Sequence, residues 1–133
     1  MSRITPLILI VEDNGDNRLL LHDMLDVLQY DVVEAVDGAQ GVELAASFLP
    51  TLILMDLSLP TKNGWDATRE IKSNPRTASI PIIALTAHAM PFHRETAMQA
   101  GCDDYLTKPV DFADLSLILR AYLARPWAQS GGD

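Results

Sequence analysis

Thr51-Leu52-Ile53-Leu54-Met55-Asp56-Leu57-Ser58-Leu59-Pro60 is the stretch that decides the fold. Apolar residues from Leu52 to Met55 run straight into an aspartate, between Pro50 and Pro60, and a loop carrying Gly64 follows. An apolar run this short, bounded by prolines, reads as a strand buried on both faces. Its carboxylate then sits where the strand leaves the sheet, at the rim. Open α/β sheets bind ligands in the crevice at the carboxyl ends of their strands, so Asp56 is placed to do chemistry. The plainer alternative is an aspartate that only caps a turn.

Working outward, the same unit recurs. Leu7 to Val11 is an apolar strand ending in Glu12-Asp13, and Asn14-Gly15-Asp16 offers turn and N-cap chemistry for a helix striped by Leu21, Met24, Leu25 and Leu28. Tyr30 to Val36 predicts a second strand, and Val42, Ala45, Ala46 and Leu49 stripe the helix after it. Beyond Gly64 a third helix runs from Trp65 to about Ser73, and Ile80 to Leu85 is a fourth strand ending at Thr86. A fourth helix is expected from about Pro91 to Gly101, with a weak stripe interrupted by His93, Arg94, Glu95 and Gln99. Asp104 to Thr107 is a short fifth strand leading to Lys108-Pro109, and a fifth helix from about Phe112 carries Leu115, Ile118, Leu119 and Tyr122. Arg125-Pro126 should end it, giving a folded domain over residues 1–125 and a short flexible tail over 126–133. Five βα units with short connections predict a doubly wound parallel sheet with helices on both faces and right-handed crossovers.

Bulk properties narrow the function. A chain of 133 residues, 48% hydrophobic, is long enough to bury a core. With 18 acidic and 10 basic side chains its formal charge is -8, which argues against direct nucleic-acid binding. Cys102 has no second cysteine to pair with, so a reducing, cytoplasmic setting is expected, with a packed thiol rather than a reactive one. The longest pure apolar run, Leu7 to Val11, is far too short to span a bilayer. His22, His88 and His93 show no shared face and no carboxylate partner, and read as surface or helix-end residues. Trp65 reads as packing, and Trp127 as an exposed anchor or part of a loose end.

The polar residues at the strand ends form a pattern. Strand one ends in Glu12 and Asp13, strand three in Asp56, strand four in Thr86 and strand five in Lys108. With strand order 2-1-3-4-5, strands one and three are neighbours at the switch point and three carboxylates meet there. Two like charges ~5 Å apart at an effective dielectric of about 20 repel by roughly 3 kcal/mol. A hard divalent cation and Lys108 would offset this, and Mg²⁺ suits an all-oxygen site that keeps several waters. An EF-hand beginning at Asp13 fails, because Arg18 stands where that loop needs glycine. With a cation bound, Asp56 can act as a nucleophile towards a phosphoryl group, with Lys108 and Thr86 on its oxygens.

These pieces resemble a two-component response-regulator receiver domain of the stand-alone type, from about Leu7 to Leu123. The resemblance rests on Ile10-Val11-Glu12-Asp13-Asn14, on Leu54 to Pro60 with Gly64, on Leu85-Thr86-Ala87, and on Asp104-Tyr105-Leu106-Thr107-Lys108-Pro109. It implies a flavodoxin-like fold and a phosphoryl group accepted on Asp56 from a histidine kinase or histidine phosphotransfer protein. It implies Mg²⁺ held by Glu12 (through water), Asp13, Asp56 and the Ser58 main-chain carbonyl. It further implies that Thr86 and Tyr105 switch on phosphorylation and that the Lys108-Pro109 bond is cis. The output would leave through the face of the fourth helix, fifth strand and fifth helix to a downstream protein, with no nucleic-acid contact and no membrane insertion.

Competing functions are weaker on particular residues. An aspartate-nucleophile hydrolase needs a second acid shortly after the nucleophile, and Leu57-Ser58-Leu59 offers none. A flavin or nucleotide carrier needs a Gly-rich loop after strand one, where Glu12-Asp13 would repel phosphate. Two alternatives stay open: a docking module that is never phosphorylated, and a receiver segment of a hybrid histidine kinase. Met1 and the tail lead us to expect an independent protein with no attached effector, whose chemistry is confined to its own phosphorylation and dephosphorylation.

Overall fold

The computed structural model describes residues 5–59, 62–87 and 98–132, with side chains to residue 123. Strands β1 (Leu7–Val11), β2 (Asp31–Ala35), β3 (Leu52–Asp56), β4 (Ile82–Thr86) and β5 (Asp104–Thr107) alternate with helices α1 (Gly15–Val27), α2 (Gly38–Phe48) and α3 (Gly64–Ser73), and a C-terminal helix (Phe112–Gly132) closes the chain. The five strands form one parallel sheet in the order β2-β1-β3-β4-β5, the doubly wound arrangement expected from the sequence. Residues 98–100 are helical; the rest of the expected fourth helix, with His88 and His93, lies outside the described residues.

Period-two alternation explains how one sheet serves two cores. Leu9, Val11, Ile53, Met55, Ile82 and Ala84 point to the face covered by α2 and α3. Ile8, Ile10, Leu52, Leu54, Ile83 and Leu85 point to the other, where Leu21 and Leu25 of α1 meet Leu115 and Leu119 of the C-terminal helix. Strands β1, β3 and β4 are therefore buried along their whole length, whereas β2 and β5 are partly exposed edges.

Short polar residues turn each strand into the next helix. Asn14 caps α1 by accepting from the Asn17 N–H (2.9 Å), Asp37 caps α2 from Gln40 (2.8 Å), and Asn63 caps α3 from Asp66 (2.9 Å).

β2 is one residue shorter at each end than expected and α3 starts one residue earlier, and three larger differences have a physical reason. The fourth strand starts at Ile82 rather than Ile80, because Pro81 has no N–H for the ladder, although its carbonyl accepts from Ile53 (2.9 Å). Leu49 leaves the stripe of α2: as the C-cap it adopts φ 49° and is 47% exposed, and Leu44 packs on the core instead. The C-terminal helix passes Arg125-Pro126 and runs to Gly132. A proline removes one donor from the helical ladder, yet its φ is already near the helical value.

Candidate functional site

Rungs beyond the regular ladders hold the carboxyl edge of the sheet in place. The Glu12 N–H donates to Ala35 O (3.0 Å), Leu57 N–H to Leu85 O (3.1 Å) and Lys108 N–H to Thr86 O (2.7 Å). Glu12, Asp56 and Lys108 thus leave a backbone that is already fixed. At β3 the turn after Asp56 folds under the start of α3, where Gly64 N–H donates to Leu57 O (3.2 Å). A Cβ on Gly64 would lie 2.3 Å from Asp56 O and 2.6 Å from Leu57 Cα, so only glycine permits this approach.

The structure brings Glu12, Asp13, Asp56 and Lys108 together. Lys108 Nζ lies 3.2 Å from Glu12 Oε1 and 3.2 Å from Asp56 Oδ2, bridging β1 and β3. The second oxygen of each carboxylate is also held: Asp56 Oδ1 accepts from Ser58 N–H (3.1 Å) and Glu12 Oε2 from Asn14 N–H (3.1 Å). Asp56 is 2% exposed, more enclosed than the open rim expected for it, because Lys108 and the Ser58 turn close over it. Thr86 ends β4 at the same edge, paired in register with Thr107. Tyr105 pairs with Ala84 two residues earlier, which puts Thr86 and Tyr105 on the same face of the sheet, and its ring packs on the core beneath α2 and α3. The Lys108-Pro109 peptide is cis, as the resemblance implies.

Electrostatics follow from this packing. Burial raises the Glu12 carboxyl above its usual value and Asp56 adds to the effect, outweighing the Asn14 hydrogen bond and Lys108, which act the other way. Burial alone would lower Lys108, but the Asp56 and Glu12 carboxylates outweigh it and hold the ammonium above the usual lysine range. Lys108 is therefore a fixed cation at neutral pH, facing the Glu12 and Asp56 carboxylates.

The donor set suits a hard cation. Glu12, Asp13 and Asp56 offer ligand oxygens that all lie within 4.8 Å of one another. Glu12 Oε1 is buried and accepts no hydrogen bond, Lys108 being its ionic neighbour. Asp13 is exposed, which leaves room for water in the coordination shell. All-oxygen ligands, two carboxylates from adjacent strands and an open side match the preferences of Mg²⁺.

Beside the site lies a cavity of about 310 Å³, lined by Leu20, Leu21, Pro109 and Val110 together with Glu12 and Lys108.

The family profile described as the response regulator receiver domain matches residues 8–120. The chain belongs to that family. This receiver is 34% identical over 120 residues to the polar-differentiation response regulator DivK of Brucella ovis, an alignment covering 90% of this chain and 98% of that one. Among solved structures it resembles the receiver domain of a sensor histidine kinase from Pseudomonas aeruginosa, crystallised with a magnesium ion coordinated in the active-site cleft. Identity there is 43% and the TM-score 0.84, with 89% of this receiver and 97% of that chain covered. It also resembles a Saccharomyces cerevisiae receiver domain co-crystallised with a histidine phosphotransfer signaling protein (31% identity, TM-score 0.81, 90% and 91% covered). No described helix of this receiver is long and apolar enough to cross a membrane.

Two partners escaped the sequence. His22 does have a carboxylate neighbour: its Nδ1 lies 2.8 Å from Glu34 Oε2, a contact between α1 and β2 that only the fold reveals. Arg18 reaches back over the acidic turn, donating from Nη1 to Glu12 O (2.9 Å) and Asp13 O (3.4 Å). Its position near the start of α1 was a usable signal, since helical side chains lean towards the helix N-terminus.

Proposed function

We propose that this receiver takes a phosphoryl group from a phosphohistidine onto Asp56, with Mg²⁺ at Glu12, Asp13, Asp56 and the Ser58 carbonyl, and signals by protein contact. The observation that carries the reading is Lys108 Nζ at 3.2 Å from both Glu12 and Asp56, a fixed cation beside two of the three carboxylates that could hold the metal. When bound, Mg²⁺ neutralises phosphoryl oxygens and screens the acids from one another.

An Asp56 oxygen attacks phosphorus as the N–P bond to the donor imidazole breaks; the imidazole keeps the electron pair and the acyl phosphate forms. Lys108 pairs with a phosphoryl oxygen, and the Thr86 hydroxyl donates to another. The Ser58 N–H and Lys108 orient the carboxylate before attack, which removes a rotational cost from the step. The chemistry is confined to the receiver's own phosphorylation and loss of that group. The donor is a histidine kinase or histidine phosphotransfer protein.

Phosphorylation adds charge and acceptor oxygens at one point. Thr86 then moves towards the phosphoryl group and Tyr105, on the same sheet face, turns into the space it leaves. The altered surface is the fourth helix, β5 and the C-terminal helix, and there a downstream protein binds. A lone buried cysteine suits action in the cytoplasm. Residues 126–132, beyond the part of the chain that the family profile matches, serve as a helical extension of the receiver.

The test is incubation with acetyl phosphate, with and without Mg²⁺, read by intact mass. A single phosphoryl adduct that needs Mg²⁺ and disappears in Asp56→Asn is expected. An adduct on another residue, or none with the wild type, overturns the reading.

A further inference from the structure

The acidic turn between β1 and α1 carries Asp13, the most exposed member of the metal-ligating cluster, on few visible supports. Asn14 fixes the helix start below it, and the Glu12 carboxylate takes the Asn14 N–H. The Glu12 N–H is tied to Ala35 O (3.0 Å), and among the described residues the side chain that reaches the carbonyls of the turn is Arg18. Its Nη1 meets the carbonyls of both Glu12 and Asp13, while its Nε donates to Glu34 Oε1 on β2 (3.1 Å). Glu34 in turn holds His22 of α1 through its other oxygen. The Arg18 side chain is only 22% exposed, so it lies along the surface of the turn rather than reaching into solvent.

Its ion pair with Glu34 aside, Arg18 is poorly placed electrostatically. A cation in the first turns of a helix opposes the helix dipole, and a cation beside a metal site repels the metal. What its planar fork does provide is geometry: one rigid group holds two carbonyls of the turn and a carboxylate of β2. We infer that Arg18, anchored by Glu34, is a positioning residue that sets the Glu12-Asp13 turn so that both carboxylates face a common Mg²⁺. This rests on the Mg²⁺ site proposed above.

The sign of a mutation separates positioning from charge. Removing a bystander cation near the site tightens Mg²⁺; removing a positioning clamp loosens it. The measurement is Mg²⁺ affinity of the purified protein, followed by calorimetry, for wild type, Arg18→Gln, Arg18→Lys, Glu34→Gln and Asp56→Asn. Positioning requires Arg18→Gln to weaken Mg²⁺ by about tenfold, the low end for partners that orient metal ligands. Arg18→Lys, with charge but no fork, should rescue little of it. Glu34→Gln should weaken binding less, and combined with Arg18→Gln should add nothing further. Thermal midpoints measured without Mg²⁺ give the second readout: a merely structural role lowers them and leaves Mg²⁺ affinity unchanged, which overturns the inference. So does tighter binding in Arg18→Gln. Should Arg18→Gln fail to fold, an unchanged affinity in Glu34→Gln overturns it equally. If Asp56→Asn binds Mg²⁺ as well as wild type does, the site itself is misassigned and both readings fall.

Discussion

Cys102 shows how far a single residue's chemistry is set by what surrounds it. Its thiol is 5% exposed, lies 3.8 Å from the Thr68 hydroxyl, and is pushed up to about 11, chiefly by burial. An unfolded thiol ionises near its ordinary value of 9.0, so between these values the folded chain binds more protons than the unfolded one. Stability contributed by the neutral thiol is therefore present below about pH 9 and lost as pH rises towards 11. The expected outcome is that Cys102 reacts with a disulfide reagent at pH 8 orders of magnitude more slowly in the native protein than in urea, and equal rates would refute it. The sequence, with no His or second Cys near this residue, already pointed to a packed thiol; the partner Thr68, thirty-four positions away, could not be read from it.

At the scale of elements, the sheet ends were legible and the ties between elements were not. Apolar runs closed by Glu12-Asp13, Asp56, Thr86 and Lys108 announce strands whose termini share one edge, because a parallel sheet with short crossovers leaves no other place for them. Long side chains that bridge elements carry no such period. Lys72 is the clearest case: from α3 its Nζ donates to Ala78 O (3.1 Å), Ile80 O (2.8 Å) and Asp103 Oδ2 (3.0 Å), and Asp103 also takes the Ile82 N–H. One ammonium thereby joins α3, the α3–β4 connection and the residue before β5. Lys72→Met keeps the stem and strands these acceptors, so a loss of about 2–3 kcal/mol is expected from urea melts with an unchanged m-value. A change within error would mean that water replaces the ammonium without cost.

The molecule as a whole carries an excess of acid, and among the described residues Glu12, Asp13 and Asp56 gather at the site. Clustered carboxylates at a binding site trade stability for function. Asp13→Asn should therefore raise the Mg²⁺-free midpoint, by up to about 1 kcal/mol given solvent screening of an exposed group. Saturating Mg²⁺ should stabilise the wild type by about 2.7 kcal/mol at a hundredfold excess over Kd, and Asp13→Asn by far less. A variant that is less stable without Mg²⁺ would show that Asp13 supports the fold rather than opposing it. Fold class, strand order and the acid cluster were all written in local sequence, because hydrophobic period and strand-end chemistry are local properties. The enclosure of Asp56 and the Arg18 clamp arise only once distant elements dock.

Strand β5 is tethered at both ends. Before it, Lys72 grips Asp103, and the Tyr122 hydroxyl of the C-terminal helix bonds Asp103 O (3.2 Å) and Asp104 Oδ2 (3.4 Å). After it, Lys108 is drawn to Glu12 and Asp56. A string fixed at two pegs cannot slide, so a pull on Lys108 finds no slack along the chain. A disturbance at the far peg is then more easily relieved sideways, by side chains turning about the strand, than by movement along it.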